Sequence, residues 1–362
     1  MNSRPPLLDV RELTTDFPTD HGTVRAVDAV SFAIERGETL GIAGETGSGK
    51  SALVRTIVDL VPASAQVTGD VLVDGRLLSA LPKTEKRHLL GGRIGMVLQD
   101  PMTSLNPVRK IGHQLVDPMR FHLGLSRADA RRRAVELLEL VRMPQASQRL
   151  SQYPHELSGG MRQRVGIAIA LSCDPELLIA DEATTALDVT VQKEILDLLK
   201  ALQQDLGMGL IIISHDLGVL ATRTDRALIM YAGRLVEDAA TAELFRSPLH
   251  PYTAALMAAI PVLSDEPHTR LAAIPGQPPD LVNQPPGCRF APRCALAEDR
   301  CWTAEPPLEA SDDDVGAHHS VGLGRRVRCF FPLSGLAAPS HTEVVTGQAG
   351  TIVGTPDRAK GA

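Results

Sequence analysis

Hydrophobic and polar positions change their period along this chain. In Thr23-Val-Arg-Ala-Val-Asp-Ala-Val-Ser-Phe-Ala-Ile34 apolar residues recur at the short spacing of strands, and Asp74-Gly75 follows Val71-Leu-Val73 as a hairpin-turn dipeptide. The first 75 residues are therefore expected to be mainly antiparallel β. Four short runs, Thr39–Ala43, Ile94–Leu98, Leu177–Ala180 and Leu210–Ile213, are instead almost continuously apolar and end at polar or glycine-rich clusters. That is the pattern of strands buried on both faces. Helical stretches between them predict an α/β fold, a parallel sheet covered by helices with an antiparallel β subdomain.

Residues 101–160 read as a mostly helical insertion into this sheet. Ser126, with Asp129 three residues on, is placed to cap a helix whose Ala134, Leu137, Leu138 and Val141 follow the i, i+3, i+4, i+7 pattern, with Pro144 as its stop. Past residue 260 the periodicity fades into Pro-Gly-Gln-Pro-Pro and Gln-Pro-Pro-Gly, and 13 of the 26 prolines fall in the last stretch from Pro261. The expected organisation is a main α/β domain over 1–260, a small cysteine-containing extension over 261–335, and a Gly/Ala/Thr-rich tail over 336–362 expected to be disordered.

Composition narrows the class. The chain has 362 residues, 43% hydrophobic and 22% charged, with a net charge of −6. No apolar run reaches the ~18 residues of a membrane helix, and Met1–Val10 carries acidic and proline residues where an export signal would be apolar. A mildly acidic balance disfavours nucleic acid as a partner. Of five cysteines only Cys173 lies in the first 287 residues; Cys288, Cys294, Cys301 and Cys329 cluster behind it. Without an export signal, four clustered cysteines read as metal ligands rather than disulfides, and Cys173, in an apolar neighbourhood, reads as a small core residue.

Three motifs carry chemistry. Gly44-Glu-Thr-Gly-Ser-Gly-Lys-Ser51 fits the phosphate-loop pattern G-x-x-x-x-G-K-S/T between a strand and a helical run. Its glycines let backbone N–H groups curl round phosphates, Lys50 adds charge, and Ser51 can bind Mg2+. A dinucleotide-binding loop would lack the Lys-Ser ending. Leu177-Leu-Ile-Ala-Asp-Glu182 is a buried strand ending in two carboxylates, of which Asp181 suits Mg2+ and Glu182 a general base that polarises water. Leu157-Ser-Gly-Gly-Met161 opens a second helix about 110 residues beyond the loop, a further anion site that suggests one nucleotide contacted from two bodies.

Together with Gln99 after a strand, Ala186-Leu187-Asp188 and His215, these motifs stand in the order and approximate spacing of the ATP-binding cassette (ABC) ATPases, which the chain resembles over about residues 7–260. The resemblance implies a cytoplasmic-face ATPase working as a head-to-tail dimer, in which Ser158, Gly159 and Gly160 of one cassette close over the γ-phosphate held by Lys50 of the other. It implies that the whole loop Gly44, Glu45, Thr46, Gly47, Ser48, Gly49, Lys50 and Ser51 contacts ATP. It further gives Gln99 as the sensor of Mg2+ and the attacking water, His215 as the γ-phosphate switch, Asp188 as an interface aspartate, and Phe17, on a looser alignment, as the residue stacked on adenine.

Longer stretches are similar to the ATPases of oligopeptide, dipeptide and nickel importers: Gln99-Asp-Pro-Met-Thr-Ser-Leu-Asn-Pro107, Tyr153-Pro-His-Glu-Leu-Ser-Gly-Gly-Met-Arg-Gln-Arg164, His250-Pro-Tyr-Thr253 and Pro286-Gly-Cys-Arg-Phe-Ala-Pro-Arg-Cys294. This implies two transmembrane permease subunits, a second cassette that is a sister chain or a copy, and an extracytoplasmic binding protein that delivers substrate. The spacing Cys288-x5-Cys294-x6-Cys301-x27-Cys329 supplies four thiolates, enough for tetrahedral Zn2+ or a 4Fe–4S cluster. The subgroup's cluster-bearing members place the cluster first, ahead of zinc or unligated thiols. A non-transport ABC ATPase of DNA repair or translation is the alternative function, and nickel or another small solute the alternative cargo.

Overall fold

The structure is a computed structural model and describes residues 4–99, 104–183, 188–260, 274–311 and 324–333. The expected antiparallel subdomain is present. Strands β1 (Leu8–Thr19), β2 (Gly22–Ile34), β4 (Gln66–Val73) and β5 (Arg76–Leu77) form a sheet in the order β2-β1-β4-β5. Asp74-Gly75 makes its hairpin turn, with Val73 opposite Arg76.

The second sheet holds the four runs read as buried strands: β3 (Thr39–Ala43), β6 (Ile94–Val97), β7 (Leu177–Asp181) and β8 (Gly209–Ile213). All their pairings with one another are parallel. Two strands absent from the sequence reading complete it. Strand β9 (Arg226–Tyr231) lies parallel to β3, and β10 (Arg234–Ala240) returns antiparallel to β9 through a turn in which Ala232 (φ 47°) and Gly233 (φ 86°) are both left-handed, as a tight primed hairpin requires. The last strands, β11 (Glu309–Ala310) and β12 (Arg326–Val327), extend the same sheet from β10, giving the order β11-β12-β10-β9-β3-β8-β7-β6.

Alternation along these strands divides the core. Leu177, Ile179, Ile211, Ile213, Leu228 and Met230 face the antiparallel subdomain, where they meet Val10, Leu13 and Phe32. The intervening Leu178, Ala180, Leu210, Ile212, Ala227 and Ile229 face the helices. Between the two sheets lies α1 (Lys50–Ile57), burying Leu53, Val54 and Ile57.

The insertion is helical in its described part: α3 (Ile111–His122, after α2 at Lys83–Gly92), α4 (Arg127–Leu140) and the short α5 (Ala146–Arg149). Ser126 caps α4 by accepting from the Asp129 N–H, and Ala134, Leu137, Leu138 and Val141 are all buried, as their spacing predicted. Among the described residues no helix is long and apolar enough to cross a membrane. Asp100–Thr103, Ala186, Leu187 and the 336–362 tail lie outside the described residues.

Candidate functional site

The phosphate loop joins the end of β3 to α1. Its backbone needs glycine at both ends: Gly44 (φ 149°) and Gly49 (φ 101°) are left-handed or beyond, and a Cβ would meet the Met230 carbonyl at 2.2 Å in the first case and the Ala26 carbonyl at 2.2 Å in the second. Lys50 is buried, and its Nζ donates to the carbonyl oxygens of Gly44 (2.8 Å) and Glu45 (2.9 Å). It thus sits folded across the loop opening. Burial lowers its pKa, against the pull of the carboxylates of Glu182, Asp181 and Glu45. Within the loop the Ser48 N–H donates to Glu45 O, and Ser48 O accepts from Gly233 in the β9–β10 turn.

The end of β7 lies against this loop. Ser51 Oγ donates to Asp181 Oδ1 at 2.8 Å, joining the strand end to the helix start. Asp181 is fully buried; its Oδ2 has no hydrogen-bond partner among the described residues, and the Arg55 guanidinium lies 3.6 Å from it. Burial raises its pKa. A buried carboxylate oxygen left without a donor, beside a serine hydroxyl, is a donor set suited to Mg2+. Glu182, the next residue, is held in the left-handed region (φ 44°), a strained position for a glutamate. Its Oε2 accepts from Gln99 Nε2 at 2.7 Å, and His215 Nδ1 lies 3.8 Å from its Oε1. Residues 99, 182 and 215, from the ends of β6, β7 and β8, therefore meet at one carboxylate.

Other expected site residues sit apart from this group. Ser158 caps α6 (Gly159–Leu171) by accepting from the Met161 N–H, and Ser158 and Gly159 are exposed. Asp188 caps α7 (Val189–Leu206), accepting from the Val191 N–H at 3.0 Å. Phe17 is half-buried on β1 opposite Val24.

Cys173 is buried, as its apolar surroundings suggested, and burial pushes its thiol pKa up. The other four cysteines come together across a long sequence separation: Cys288, Cys294, Cys301 and Cys329 line one cavity with His250 and Phe290. All four are free thiols. Burial is the main cause that raises Cys288 to about 11 and Cys329 to about 12, and backbone groups of Phe290, Ala291 and Phe331 hydrogen-bond the two sulfurs. Among the described residues no three His, Cys, Asp or Glu side chains gather closely enough to hold a metal ion.

Two residues of this region were quoted in the sequence reading but given no role. Tyr252 OH accepts from the Glu45 N–H at 2.8 Å, and Arg293 binds both carboxylate oxygens of Glu45, at 2.6 and 2.9 Å. The sequence separation of 248 residues between Arg293 and Glu45 hides that contact from any local pattern.

A glycine loop closed by a lysine and facing a strand tipped with two carboxylates defines the class, a P-loop nucleoside triphosphatase. Comparison with known proteins takes this further. Residues 27–185 match the family model of the ABC transporter, and residues 236–301 that of the oligopeptide/dipeptide transporter C-terminal region. The chain is 46% identical over 327 residues to the oligopeptide transport ATP-binding protein AppD of Bacillus subtilis (strain 168), covering 90% of this chain and 96% of that one. It is 49% identical to a putative peptide import ATP-binding protein of Brucella abortus (strain 2308), covering 90% and 94%. Against OppD of Mycobacterium tuberculosis (strain ATCC 25618 / H37Rv) it is 47% identical but covers only 53% of that longer protein. Among solved structures it is similar to the dimeric ATP-binding cassette MJ0796 bound to ADP and Pi, with TM-score 0.58 and 27% identity over 65% of this chain and 98% of that one. The chain belongs to the ATPases of ABC transporters, in their oligopeptide/dipeptide group.

Proposed function

We propose that this chain is the ATP-binding and ATP-hydrolysing subunit of a peptide-import ABC system, driving uptake through separate transmembrane subunits. One observation carries the reading: Lys50, Ser51, Asp181 and Glu182 converge at two strand ends. They do so in a chain that aligns over 90% of its length with an oligopeptide transport ATP-binding protein.

Each residue then has a task. Phe17 stacks on the adenine. Backbone N–H groups of residues 44–51 surround the β- and γ-phosphates, and Lys50 leaves its two carbonyl partners to neutralise them. Ser51, Asp181 and Gln99 would hold Mg2+, which would supply charge neutralisation at the phosphate oxygens. Glu182 accepts a proton from water as the water oxygen attacks the γ-phosphorus and the bond to the ADP oxygen breaks. Gln99, already bonded to Glu182, orients that water, and His215 contacts the γ-phosphate. Ser158, Gly159 and Gly160 of a second cassette, with Asp188 at the same interface, close the site from outside. The exposure of Ser158 and Gly159 favours such use by a partner.

Replacing Glu182 by Gln tests the catalytic assignment. In the assembled complex turnover is expected to fall at least a hundredfold while ATP is still bound; unchanged hydrolysis would sink it.

The remaining partners are two permeases, a sister or identical cassette, and an extracytoplasmic peptide-binding protein, which places the chain at the cytoplasmic face of the membrane. The names of its relatives as peptide import or transport ATP-binding proteins support this.

The cysteine cavity is read as the site of a 4Fe–4S cluster. Four thiols lining one cavity, with backbone groups hydrogen-bonded to the Cys288 and Cys329 sulfurs, would supply the four ligands such a cluster takes. Anaerobically purified protein should absorb near ~400 nm and contain iron. A colourless protein with stoichiometric zinc would replace the cluster by the zinc alternative.

A further inference from the structure

We propose that Arg293 and Tyr252 are positioning residues for ATP binding: together they clamp Glu45, and with it the entry of the phosphate loop, from the C-terminal part of the chain. The loop is also held by its own lysine, by an internal hydrogen bond, by Ser51 on Asp181 and by the β9–β10 turn. Glu45 differs from its neighbours in being fixed at both backbone and side chain by residues more than 200 positions away. Its N–H donates to Tyr252 OH, and its carboxylate receives both Nη atoms of Arg293.

The clamp is itself rigidly seated. The Arg293 side chain is only 3% exposed; its Nε donates to Pro275 O at 2.8 Å, and Nη1 also reaches Tyr231 OH at 3.3 Å. Tyr252 is fully buried on α10 (Pro251–Ala258, after α8 at Leu217–Arg223 and α9 at Thr241–Arg246), with its ring 4.5 Å from Tyr231 and 5.3 Å from Phe290. A planar guanidinium on a carboxylate fixes both direction and distance. The Glu45 carbonyl is one of the two acceptors that hold Lys50 Nζ, so the residue under the clamp also sets where that cation rests before nucleotide arrives. A loop already ordered before nucleotide arrives loses less conformational entropy on binding.

The clamp also ties the cysteine cavity to the nucleotide site, because Arg293 directly precedes Cys294. Each of the four cysteines has an arginine neighbour: Arg289 follows Cys288, Arg300 precedes Cys301 and Arg328 precedes Cys329. Arg289 bonds Asp28 and the Ala232 carbonyl, and Arg328 bonds the Leu235 carbonyl, so three of these arginines reach into the cassette. The positioning role rests on the ATPase reading alone and holds whatever group the thiols carry.

The test measures Mg·ATP affinity and steady-state kinetics of the full chain in its complex for Arg293→Ala, Arg293→Lys, Tyr252→Phe, Glu45→Gln and the double variant Arg293→Ala/Glu45→Gln, with iron and zinc content recorded for each. Arg293→Ala is expected to raise Kd and KM for ATP about tenfold with a smaller effect on kcat, and Glu45→Gln, which also alters the loop itself, to raise Kd to a similar extent. Arg293→Lys should recover part of the loss, and the double variant should be no worse than either single one. Should Arg293→Ala fail to fold, Arg293→Lys and Tyr252→Phe carry the test, since they alter the clamp without changing a loop residue. Unchanged affinity in folded Glu45→Gln, or additive losses in the double variant, would overturn the clamp. Failure of the wild-type chain to bind ATP would instead overturn the ATPase reading.

Discussion

Asp181 carries the least satisfied side chain of the site. It is fully buried, has one oxygen on the Ser51 hydroxyl and the other without a hydrogen bond among the described residues, and its pKa is raised mainly by burial. Such a carboxylate is costly unless a cation completes it. Asp181→Asn should therefore remove most of the metal dependence of nucleotide binding. The ratio of ATP affinities with Mg2+ and with EDTA should shrink by roughly tenfold or more, as read by titration calorimetry, and an unchanged ratio would move the metal ligand elsewhere. Residues at this scale were legible when their chemistry was local: Gly44–Ser51 and Asp181-Glu182 declare themselves by type and spacing. Arg293 and Tyr252 did not, although both lie in quoted stretches, because nothing in Ala-Pro-Arg-Cys or His-Pro-Tyr-Thr names Glu45 as the partner.

Elements were legible where burial follows one chemical rule. The parallel strands β3, β6, β7 and β8 are apolar except for Thr39 and Asp181 at their ends and could be read directly. Strand β10 could not, because it buries Glu237 and Asp238 completely. Those charges are tolerable only because Arg325 reaches Glu237, and Arg226 and Arg326 reach Asp238. Two of these arginines come from 88 residues further along the chain. The start of α10 depends on the same network: Glu237 accepts from the Leu249 and His250 N–H groups, and His250 Nδ1 caps the helix by accepting from Tyr252 N.

Burial holds His250 neutral, with a pKa lowered to about 3. Between that value and the ordinary 6.5 the unfolded chain takes up a proton that the folded one refuses, so this histidine's contribution to stability is present above 6.5 and is lost as pH falls. At pH 5 the loss is on the order of 2 kcal/mol. His250→Asn keeps a capping oxygen but cannot titrate. It should be less stable than the wild type at pH 7 yet lose less stability on going to pH 5, as read from urea midpoints. Equal pH slopes would show that His250 is not the titrating group.

Across the whole molecule residues far apart in the chain meet at one loop, Tyr252 and Arg293 on Glu45. Strands β11 and β12 extend the sheet that carries the phosphate loop, so the C-terminal segment is built onto the cassette. The sequence showed both halves but not their junction, which depends on pairings such as Glu237 with Val327. The central claim joins hydrolysis at Glu182 to peptide uptake. It is tested most directly by reconstituting the chain with its two permeases and second cassette in proteoliposomes and measuring ATP-driven uptake of labelled peptide from its binding protein. Peptide accumulation that requires ATP and is abolished by Glu182→Gln is the predicted result. Accumulation that proceeds equally with the Gln variant, or peptide-independent hydrolysis with no uptake, would contradict the account.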